Sequence, residues 1–430
     1  MASTAPDVDV VVIGAGLAGL GAATALRDAG RSALVVEASD RIGGRAWTTH
    51  PPELGGVWFD MGAVWLHSAE RNPLVPIAQD AGDVLLRADE LRQKRTFVGT
   101  REATPAEYAD FDDAWQRYED KAAELLRSRA DAPLAEVARA MPDDEWAVTV
   151  ETWEGPIICC ADADQYSMRD WLRNALSGSN LVPQGGIGAF VARRLGEGLD
   201  IRLATPVSRV NWNGPGGRVT VHTPRGTITA NAAIVTVSTG VLAAGVIQFE
   251  PALPADTLAC VDALPMGLAV KVALRATSPD RLDLPLHCSV DRQVARSGDP
   301  TMGFQCWPHR RDYVQGWIGG SAAWGLAREG DAAAVDFALG QLRAIFGGRV
   351  DRVFAGGARL VTRWDADPLV RGSYAWVRPG DADLRMALAR PLADGHLLFA
   401  GEACHNGFAG TLAGAWLSGQ DAARIAAGGR

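Results

Sequence analysis

A glycine-rich turn near the start of the chain has the residue types that hold a dinucleotide. Gly14, Gly16 and Gly19 follow an apolar run over residues 8–13 and open an Ala- and Leu-rich stretch that continues to about Ala29. In such a pattern the first glycine makes the tight turn, the second lets the backbone approach a pyrophosphate, and the third lets helix pack on strand. The N-terminus of the helix adds partial positive charge for the phosphates. The spacing therefore predicts a strand, a phosphate-binding turn and a helix.

A second strand, predicted over residues 33–36, ends at Glu37. A carboxylate at this distance from the turn accepts hydrogen bonds from a ribose diol. The continuation includes Gly44 and Arg45, and a further glycine with a cation suits the extended pyrophosphate of FAD, to which Arg45 would make a bidentate contact. No second GxGxxG follows. This absence disfavours a monooxygenase reduced by NADPH and favours an oxidase or dehydrogenase that its own substrate reduces.

Lys271 is the sharpest candidate for chemistry outside the dinucleotide motif. The surrounding residues 267–274 alternate as a strand, with the apolar positions Leu268, Val270, Val272 and Leu274 on one face. Lys271 shares the other face with small residues, Gly267, Ala269 and Ala273, which leave room for a ring system. A lysine in such surroundings is uncommon unless its ammonium group has a partner.

Composition limits the classes of protein to consider. The chain has 430 residues, of which 47% are hydrophobic and 22% charged, so two or three globular units are expected. A net charge of −9 disfavours a nucleic-acid binder or a polybasic membrane clamp. The six cysteines form no CxxC pair and no metal-like spacing. No apolar run reaches the ~18 residues of a membrane helix, and residues 1–9 lack a secretory signal pattern. We therefore expect a soluble, cytoplasmic protein without metal, nucleic-acid or membrane partners.

The elements that must position these residues follow from hydrophobic periodicity. An aromatic stripe at helical spacing, with Tyr108, Phe111, Trp115 and Tyr118, predicts a packed helix within a largely helical insertion. Further strands are predicted at residues 200–203, 207–212, 219–223, 227–230, 233–237 and 396–400. Helices are predicted near residues 331–346 and over residues 411–427.

Together these segments resemble the flavin-containing amine oxidase family, which includes monoamine and polyamine oxidases. The resembling segments are residues 10–45, 59–67, 180–211, 265–272, 364–374 and 399–419. The resemblance implies an α/β fold, in which an FAD-binding Rossmann-like (GR2-type) domain is interleaved with an α+β substrate-binding domain that has a mixed sheet. The expected boundaries are 1–75, 185–244 and 351–430 for the FAD-binding parts, 76–184 for the helical insertion of the substrate domain, and 245–350 for its sheet and helix.

The resemblance also implies a reaction. A hydride passes from the amine α-carbon to flavin N5, the imine is hydrolysed to an aldehyde or ketone, and dioxygen reoxidises the flavin to give hydrogen peroxide. By this match Lys271 reaches N5 through a water, Trp364 packs against the isoalloxazine and Tyr374 forms one wall of an aromatic cage. Ser373 stands where animal monoamine oxidases carry their covalent cysteine, so non-covalent FAD is expected.

The resemblance also implies roles for further residues, according to their positions in the matching segments. Glu402 matches a carboxylate that contacts FAD, the helix from Thr411 lies beneath the pyrimidine edge, and Val207 lies where the backbone holds the adenine. The expected cofactor contacts are Gly14, Gly16, Gly19, Glu37, Gly44, Arg45, Gly62, Ala63, Val207, Trp364, Gly401, Glu402, Thr411 and Leu412. The expected catalytic residues are Lys271, Trp364, Tyr374 and His67, and the expected substrate pocket comprises Trp65, His67, Tyr374, Phe408 and Thr411.

The substrate is less constrained. Thr411 replaces the second cage tyrosine of monoamine oxidases, with Phe408 as a substitute wall, and Trp65-Leu66-His67 is similar to polyamine oxidases. His67 is either a hydrogen-bond partner of the substrate nitrogen or a structural residue. Polyamines also need remote acids, for which Asp60, Asp162 and Asp164 are candidates, whereas the fourteen tryptophans suit a bulky amine equally well.

Other functions stay open from sequence. An L-amino-acid oxidase needs a cation for the substrate carboxylate, and the loop after Gly62-Ala63 offers none. Carotenoid desaturases and protoporphyrinogen oxidases share the dinucleotide motif without the pairing of Lys271 and Trp364. A non-catalytic flavoprotein is the remote alternative. The expected partners are a small-molecule amine and dioxygen, in a monomer or a homodimer.

Overall fold

A computed structural model describes residues 6–214 and 217–428. Its strands, in chain order, are β1 Val8–Ile13, β2 Ala33–Val36, β3 Thr48–Thr49, β4 Phe59–Asp60, β5 Leu85–Arg87, β6 Gln93–Val98, β7 Arg101–Glu102, β8 Leu181–Pro183, β9 Ile201–Arg202, β10 Arg209–Asn211, β11 Val219–Thr223, β12 Gly226–Val235, β13 Gln248–Glu250, β14 Ala269–Arg275, β15 Cys288–Arg292, β16 Gly303–Cys306, β17 Tyr313–Gly319, β18 Arg359–Val361 and β19 Leu397–Phe399.

The α-helices, again in chain order, are α1 Leu17–Asp28, α2 Leu74–Asp80, α3 Ala88–Leu91, α4 Pro105–Ser128, α5 Glu136–Arg139, α6 Ala147–Thr152, α7 Met168–Arg173, α8 Ile187–Arg194, α9 Thr239–Ala243, α10 Ala255–Ala263, α11 Gly320–Glu329, α12 Asp331–Phe346, α13 Arg349–Val353, α14 Leu384–Leu388 and α15 Leu412–Ala426. A π-helical segment, Trp153–Cys159, follows α6 directly.

The first large sheet is built around β1. It has eight strands in the order β13-β10-β11-β12-β1-β2-β9, with β19 also beside β12. β1 runs parallel to both β12 and β2. Its side chains from Val10 to Ile13 are buried on both faces, as expected for a central parallel strand. Helices α1 and α15 cover one face, and they approach so closely that a side chain at Gly419 would overlap the backbone of Ala18.

The second large sheet is mixed. Its order is β18-β14-β17-β16-β15-β6-β7, antiparallel except where β15 pairs with β6. One face packs against α11 and α12 through an apolar cluster that includes Leu268, Val270, Val272 and Leu274. Lys271 lies on the other face of the sheet, which points away from this core. The alternation predicted for β14 is therefore confirmed.

The helical insertion has its own core. Helix α4 begins at a capping box, in which Thr104 and Glu107 satisfy each other's backbone N–H groups. Phe111 and Tyr118 are fully buried in a cluster with Trp146, and their rings make the predicted aromatic stripe a packing face.

The structure confirms the fold class and corrects two local expectations. The strands expected at residues 227–230 and 233–237 form one long strand, β12, which ends at Val235. Its first half pairs with β11 and its second half with β1. The segment 76–184 contributes strands as well as helices, since β6 and β7 extend the second sheet. The proposed domain boundaries stay a prediction, and residues 1–5, 215–216 and 429–430 lie outside the described residues.

Candidate active site

The glycine turn between β1 and α1 has the geometry that a pyrophosphate requires. Gly14 has φ +108°, and a side chain at Gly19 would overlap the carbonyl oxygen of Gly14. A Cβ at Gly16 would meet nothing within 4 Å, so open space lies beside the first turn of α1. Gly16 is also the N-cap of α1 and has no side chain to satisfy the first N–H groups. These groups are free to bind an anion.

The carboxylate of Glu37, which directly follows β2, stabilises the glycine turn through hydrogen bonds. Its Oε2 accepts a hydrogen bond from Ala15 N at 2.7 Å, and its Oε1 accepts from the backbone and the hydroxyl of Ser39, both at 2.8 Å. A carboxylate oxygen has about two lone-pair sites, so Oε2 retains one for a ribose hydroxyl. Thr205 N donates to the Glu37 carbonyl at 2.7 Å, which brings the segment with Val207 beside the same strand end.

Arg45 and Glu402 form an ion pair, and the pyrophosphate contact expected for Arg45 stays a prediction. Arg45 Nη1 lies 2.9 Å from Glu402 Oε1 and donates to the Ser373 carbonyl at 2.6 Å. Glu402 Oε1 also accepts from Ala375 N at 3.1 Å. Its second oxygen, Oε2, is buried and has no hydrogen-bond partner in the described residues. An orphaned buried oxygen is costly, so this position fits a cofactor that brings a hydroxyl donor.

Lys271 and Trp364 hold the loop after β4 through consecutive carbonyl groups. The ammonium of Lys271 donates to the carbonyl oxygens of Asp60, at 2.8 Å, and Gly62. The indole Nε1 of Trp364 donates to the carbonyl between them, that of Met61, at 3.1 Å. The same loop includes Ala63, whose N–H donates to the Arg45 carbonyl. Two side chains predicted to act together therefore meet at one backbone segment.

Burial changes the charge state of Lys271. Removal from water lowers the pKa of its ammonium group to about 8, although the nearby Asp60 carboxylate opposes the shift. Two of the three ammonium donors are used within the chain. The third is available to a water or a ligand.

A row of aromatic rings lies on the Lys271 face of the second sheet. Trp317 is the direct cross-strand partner of Lys271, and so points to the same face. Its ring lies 6.4 Å from that of Trp65 and 6.1 Å from that of Trp153, and Trp65 in turn lies 5.7 Å from His67. Water is poorly accommodated between such walls.

Trp317 and Trp153 were not predicted as site residues. For Trp317 a signal existed, because Tyr313, Gln315 and Trp317 alternate with Val314 and Ile318 along β17, and the two aliphatic residues are core. No sequence pattern indicated Trp153 as a site residue. It reaches the row because Gly303 has no side chain, and a Cβ there would lie 2.6 Å from the Trp153 ring.

Tyr374, the expected cage wall, lies between the π-helical segment and the start of α15, and its role as a wall stays a prediction. Its hydroxyl donates to the carbonyl of Ile158, and burial raises its pKa well above 10. A Cβ at Gly410 would lie 3.4 Å from the Tyr374 ring. π-helical turns are frequent at functional sites, and this one fixes the tyrosine.

Thr411 and Phe408, which were also expected to line the substrate pocket, make structural contacts as well. Thr411 is the N-cap of α15, with its hydroxyl accepting from Gly414 N at 3.1 Å and donating to the Phe408 carbonyl at 2.7 Å. Phe408 is buried beneath the Arg71 guanidinium, which lies 4.3 Å from its ring centroid. The role of Phe408 as a second cage wall stays a prediction.

Two of the three acidic residues suggested for a second ammonium group, Asp60 and Asp162, already accept hydrogen bonds within the chain. The buried Asp60 carboxylate accepts from Thr48 Oγ1 at 2.5 Å and from the first N–H groups of α8. Asp162 accepts from Ser321 N at 3.0 Å, and Asp164 is exposed. Asp60 and Asp162 thus cap helices, a use that single-sequence reasoning did not foresee.

The comparison with known proteins bears on this constellation as a whole. A family model described as flavin containing amine oxidoreductase matches residues 17–427. The chain belongs to this family. The expected family and the enzyme class, a flavin-dependent amine oxidoreductase, are thereby confirmed, and a flavin is the cofactor that the family implies. The individual site residues stay predictions.

Three similar proteins illustrate the range. Human lysine-specific histone demethylase 2 is 27% identical over 446 residues, 97% of this chain and 53% of its own length. Polyamine oxidase 4 of Oryza sativa subsp. japonica is 29% identical over 96% of this chain and 87% of its own. Cyclohexylamine oxidase from Brevibacterium oxydans IH-35A, a solved structure, has a TM-score of 0.78 at 24% identity, covering 98% and 99% of the two chains. The chain thus spans about half the length of the histone demethylase.

Two further findings concern partners. Among the helices of residues 6–214 and 217–428, none combines the length and hydrophobicity needed to cross a bilayer. In the same residues no three His, Cys, Asp or Glu side chains are grouped as a metal site.

Proposed function

We propose that this chain is an oxidase of small-molecule amines with a non-covalently bound FAD. The observation that carries the proposal is the meeting of Lys271 and Trp364 at the loop 60–62, on the sheet face that bears the aromatic row. A bound FAD supplies a hydride acceptor for the carbon beside the amine nitrogen and passes the electrons to dioxygen, which yields an imine and hydrogen peroxide.

The chain offers contacts for each part of such a cofactor. The open turn at Gly16 and the N-terminus of α1 suit the pyrophosphate, and the spare lone pair of Glu37 suits a ribose hydroxyl. Glu402 Oε2, which has no partner among the described residues, would accept a hydrogen bond from a hydroxyl of the cofactor. The N-terminus of α15, capped by Thr411, stabilises negative charge that develops on a reduced ring.

The chain's own contribution to the reaction is to orient the amine, to exclude water from it and to favour its neutral form. Trp65, Trp153 and Trp317 exclude water, and a poorly hydrated nitrogen favours its neutral form, whose lone pair assists hydride departure. Tyr374 is fixed by its hydrogen bond to Ile158 and offers a ring face to the ammonium form of the amine as it enters, worth ~0.5–2 kcal/mol as a cation–π contact before the nitrogen loses its proton.

Ser373 supports a non-covalent cofactor. Its side chain is a hydroxyl, which accepts a hydrogen bond from Ala269 N at 2.8 Å, and without a sulfur atom it cannot form a thioether to the flavin. Acid precipitation tests this point, because a non-covalent flavin passes to the supernatant whereas a covalent one leaves a yellow pellet.

For the substrate we propose a bulky apolar amine first and a polyamine second. The aromatic row and the engagement of Asp60 and Asp162 support the first, as does the similarity to cyclohexylamine oxidase. The polyamine alternative is supported by the similarity to polyamine oxidase 4 and by the carboxyl group of Glu154, which lies within the π-helical segment. Burial raises the pKa of Glu154 to about 7, so a large share of this carboxyl group is uncharged at neutral pH, which weakens it as an anchor for an ammonium group.

Peroxide release and anaerobic flavin bleaching, measured with cyclic amines, linear primary amines, acetylated polyamines and amino acids, test the proposal. We expect cyclic or aryl-substituted amines to bleach the flavin fastest. Bleaching by amino acids alone would replace the proposal with an L-amino-acid oxidase. Bleaching by none of the panel would contradict an amine oxidase and favour a desaturase-like or non-catalytic flavoprotein.

A further inference from the structure

A second cavity lies on the Lys271 face of the second sheet, beyond the aromatic row. Its volume is about 40 Å³, which is room for about three water molecules or one compact polar group. Trp65 lines this cavity, whereas Lys271, Trp317 and Tyr374 do not. The Trp65 ring is therefore a wall that the cavity shares with the proposed amine site.

Two glutamines form the polar floor of the cavity. Gln315 on β17 is the direct cross-strand partner of Gln305 on β16, and antiparallel partners hold their Cβ atoms about 5 Å apart. Gln315 precedes Trp317 by two residues and so lies on the same face of the sheet, about 7 Å along the strand. Gln315 is 7% exposed, and within residues 6–214 and 217–428 neither side-chain amide makes a hydrogen bond. Buried amides of this kind need a polar partner, which a ligand can provide.

His287, immediately before β15, adds a hydrogen-bond donor to the lining. Its Nδ1 accepts a hydrogen bond from the backbone N–H of His309 at 3.2 Å. Burial lowers the pKa of the imidazole, and Arg310 acts in the same direction, so the ring is neutral near pH 7. A neutral ring that accepts at Nδ1 carries its hydrogen on Nε2. This Nε2–H group makes no hydrogen bond with the residues that the structure describes, so it is available to a ligand.

The charges around the cavity disfavour an ionic ligand. Arg92 is part of the lining, and the Arg311 guanidinium lies 3.9 Å from the ring centroid of Trp58, another lining residue. Both cations disfavour an ammonium group. The buried Asp60 also lines the cavity and disfavours a carboxylate at the floor. A neutral carboxamide, which both donates and accepts hydrogen bonds, matches two glutamine amides and an imidazole N–H.

The mouth of the cavity is flat and apolar. Leu91 is 41% exposed there, and the Trp58 ring lies 4.9 Å from that of His309. The backbone around the mouth has unusual angles, with φ +54° at Trp307, +52° at His309 and +60° at His287. Residues with a Cβ rarely adopt this left-handed region, and such strain is concentrated at functional sites. The flat rings at the mouth suit an aromatic ring of a ligand.

We propose that this cavity binds a neutral carboxamide attached to an aromatic ring, at a site separate from that of the amine. The carboxamide lies against Gln305 and Gln315, where it exchanges N–H···O hydrogen bonds with their amides, and its oxygen also accepts from His287 Nε2. The ring lies at the mouth beside Trp58. No covalent bond changes, and binding does not require that the protein oxidise an amine. Because the ligand contacts Trp65, it also restricts one wall of the amine site, a consequence that rests on the proposed function.

Three probes of nearly the same shape test the charge of the ligand. Benzamide is neutral, benzoate is an anion and benzamidinium is a cation, and none carries a hydrogen on a carbon bonded to nitrogen, so the proposed reaction cannot oxidise them. Isothermal titration calorimetry of the flavin-loaded protein measures their binding. We expect benzamide to bind at least about 10-fold more tightly than either ion, as one or two matched hydrogen bonds imply. Tighter binding of either ion, or no binding of benzamide, would overturn the proposal.

Substitutions locate the site. Gln315→Leu should weaken benzamide binding about 10-fold or more while melting temperature and flavin content are retained, because leucine has a similar volume and needs no polar partner. Gln248→Leu, at an exposed position on strand β13, is the matched control and should change none of the three. Trp317→Ala should leave benzamide binding nearly unchanged, since Trp317 does not line the cavity. A loss in Trp317→Ala and none in Gln315→Leu would place benzamide in the aromatic row and contradict the proposal.

These outcomes are distinct from those that test the proposed function. Benzamide binding that depends on Gln315, in a protein that no amine reduces, would keep this inference and remove the amine oxidase proposal. Flavin reduction by an amine in a protein that does not bind benzamide would do the reverse. If Gln315→Leu does not fold, Gln305→Leu, at a half-buried position, decides the point by the same titration.

Discussion

Arg385 and Asp170 form an ion pair that is almost completely removed from solvent, with side-chain exposures of 1% and 0%. Arg385 Nε donates to one carboxylate oxygen at 2.7 Å and Nη2 to the other at 2.9 Å. Nη2 also donates to the Ala375 carbonyl at 3.0 Å, and Ala375 N donates to Glu402. The pair thus joins α7 of the helical insertion to the segment that carries Tyr374.

Breaking this pair should be strongly destabilising. Arg385→Ala leaves the Asp170 carboxylate buried and unpaired, a loss that typically costs about 3–5 kcal/mol. We expect a large fall in melting temperature and in the midpoint of urea unfolding. Asp170→Leu combined with Arg385→Met should recover part of it, since apolar residues of similar volume need no charge compensation.

Arg173→Ala is the matched control, because its exposed partner Asp383 precedes the same helix as Arg385. Exposed pairs contribute about 0–1 kcal/mol. A loss in Arg173→Ala as large as that in Arg385→Ala would contradict this account of the buried pair.

Lys271 is expected to act mainly in the reaction with dioxygen. Lys271→Met should slow flavin reoxidation in stopped-flow measurements more than it lowers flavin content. Lys121→Met, at a half-buried site on α4 where the lysine pairs with Glu124, should leave both unchanged. Since Lys271 also holds the loop 60–62, Lys271→Arg separates the two roles by keeping a charge. An unchanged reoxidation rate in Lys271→Met would remove the residue from this step.

The charge of Lys271 predicts a pH dependence. Its pKa is lowered to about 8, mainly by burial, so the ammonium form prevails below that pH and is lost as the pH rises through it. If the positive charge assists reoxidation, the rate constant should fall between about pH 7 and 9. Lys271→Met should show a flat profile in the same range. The same decline in both proteins would assign the titration to another group.

Glu37 should determine how tightly FAD is retained. Glu37→Ala removes three hydrogen bonds within the turn as well as the proposed ribose contact. With charged hydrogen bonds worth about 1.5–3 kcal/mol, FAD affinity should fall about 10- to 100-fold. The flavin-to-protein absorbance ratio after dialysis measures the loss. Glu53→Ala, at an exposed position, is the control, and full occupancy in Glu37→Ala would show that the carboxylate matters little.

The features that sequence predicted well are local. The turn at Gly14, the carboxylate at Glu37 and the alternation around Lys271 each depend on residues close in the chain, where backbone geometry dictates residue type. The same holds for α12 and α15, whose limits differ from the predicted ones by at most a residue.

What sequence missed depends on long-range placement. Asn180 reaches His67 across 113 positions, and Arg385 reaches Asp170 across 215. Nothing in either local pattern indicates the partner. The ion pair of Arg45 with Glu402, 357 positions away, is also absent from the sequence-based expectations, whereas the phosphate contact of Arg45 stays a prediction.

Trp317 should set the size of amine that the site accepts. It faces the same side of the sheet as its cross-strand partner Lys271 and lies between Trp65 and Trp153, so truncation opens the row at its centre. Trp317→Ala should weaken binding of a bulky cyclic amine about 2- to 30-fold, the range that ~0.5–2 kcal/mol of aromatic contact implies. A small linear amine should lose less. The dissociation constant from anaerobic flavin reduction at varied amine concentration measures the effect. Trp324→Phe is the control, since Trp324 packs against the cluster on the opposite face of the sheet. An equal loss for bulky and small amines would indicate that Trp317 supports the fold of β17 and does not select the substrate.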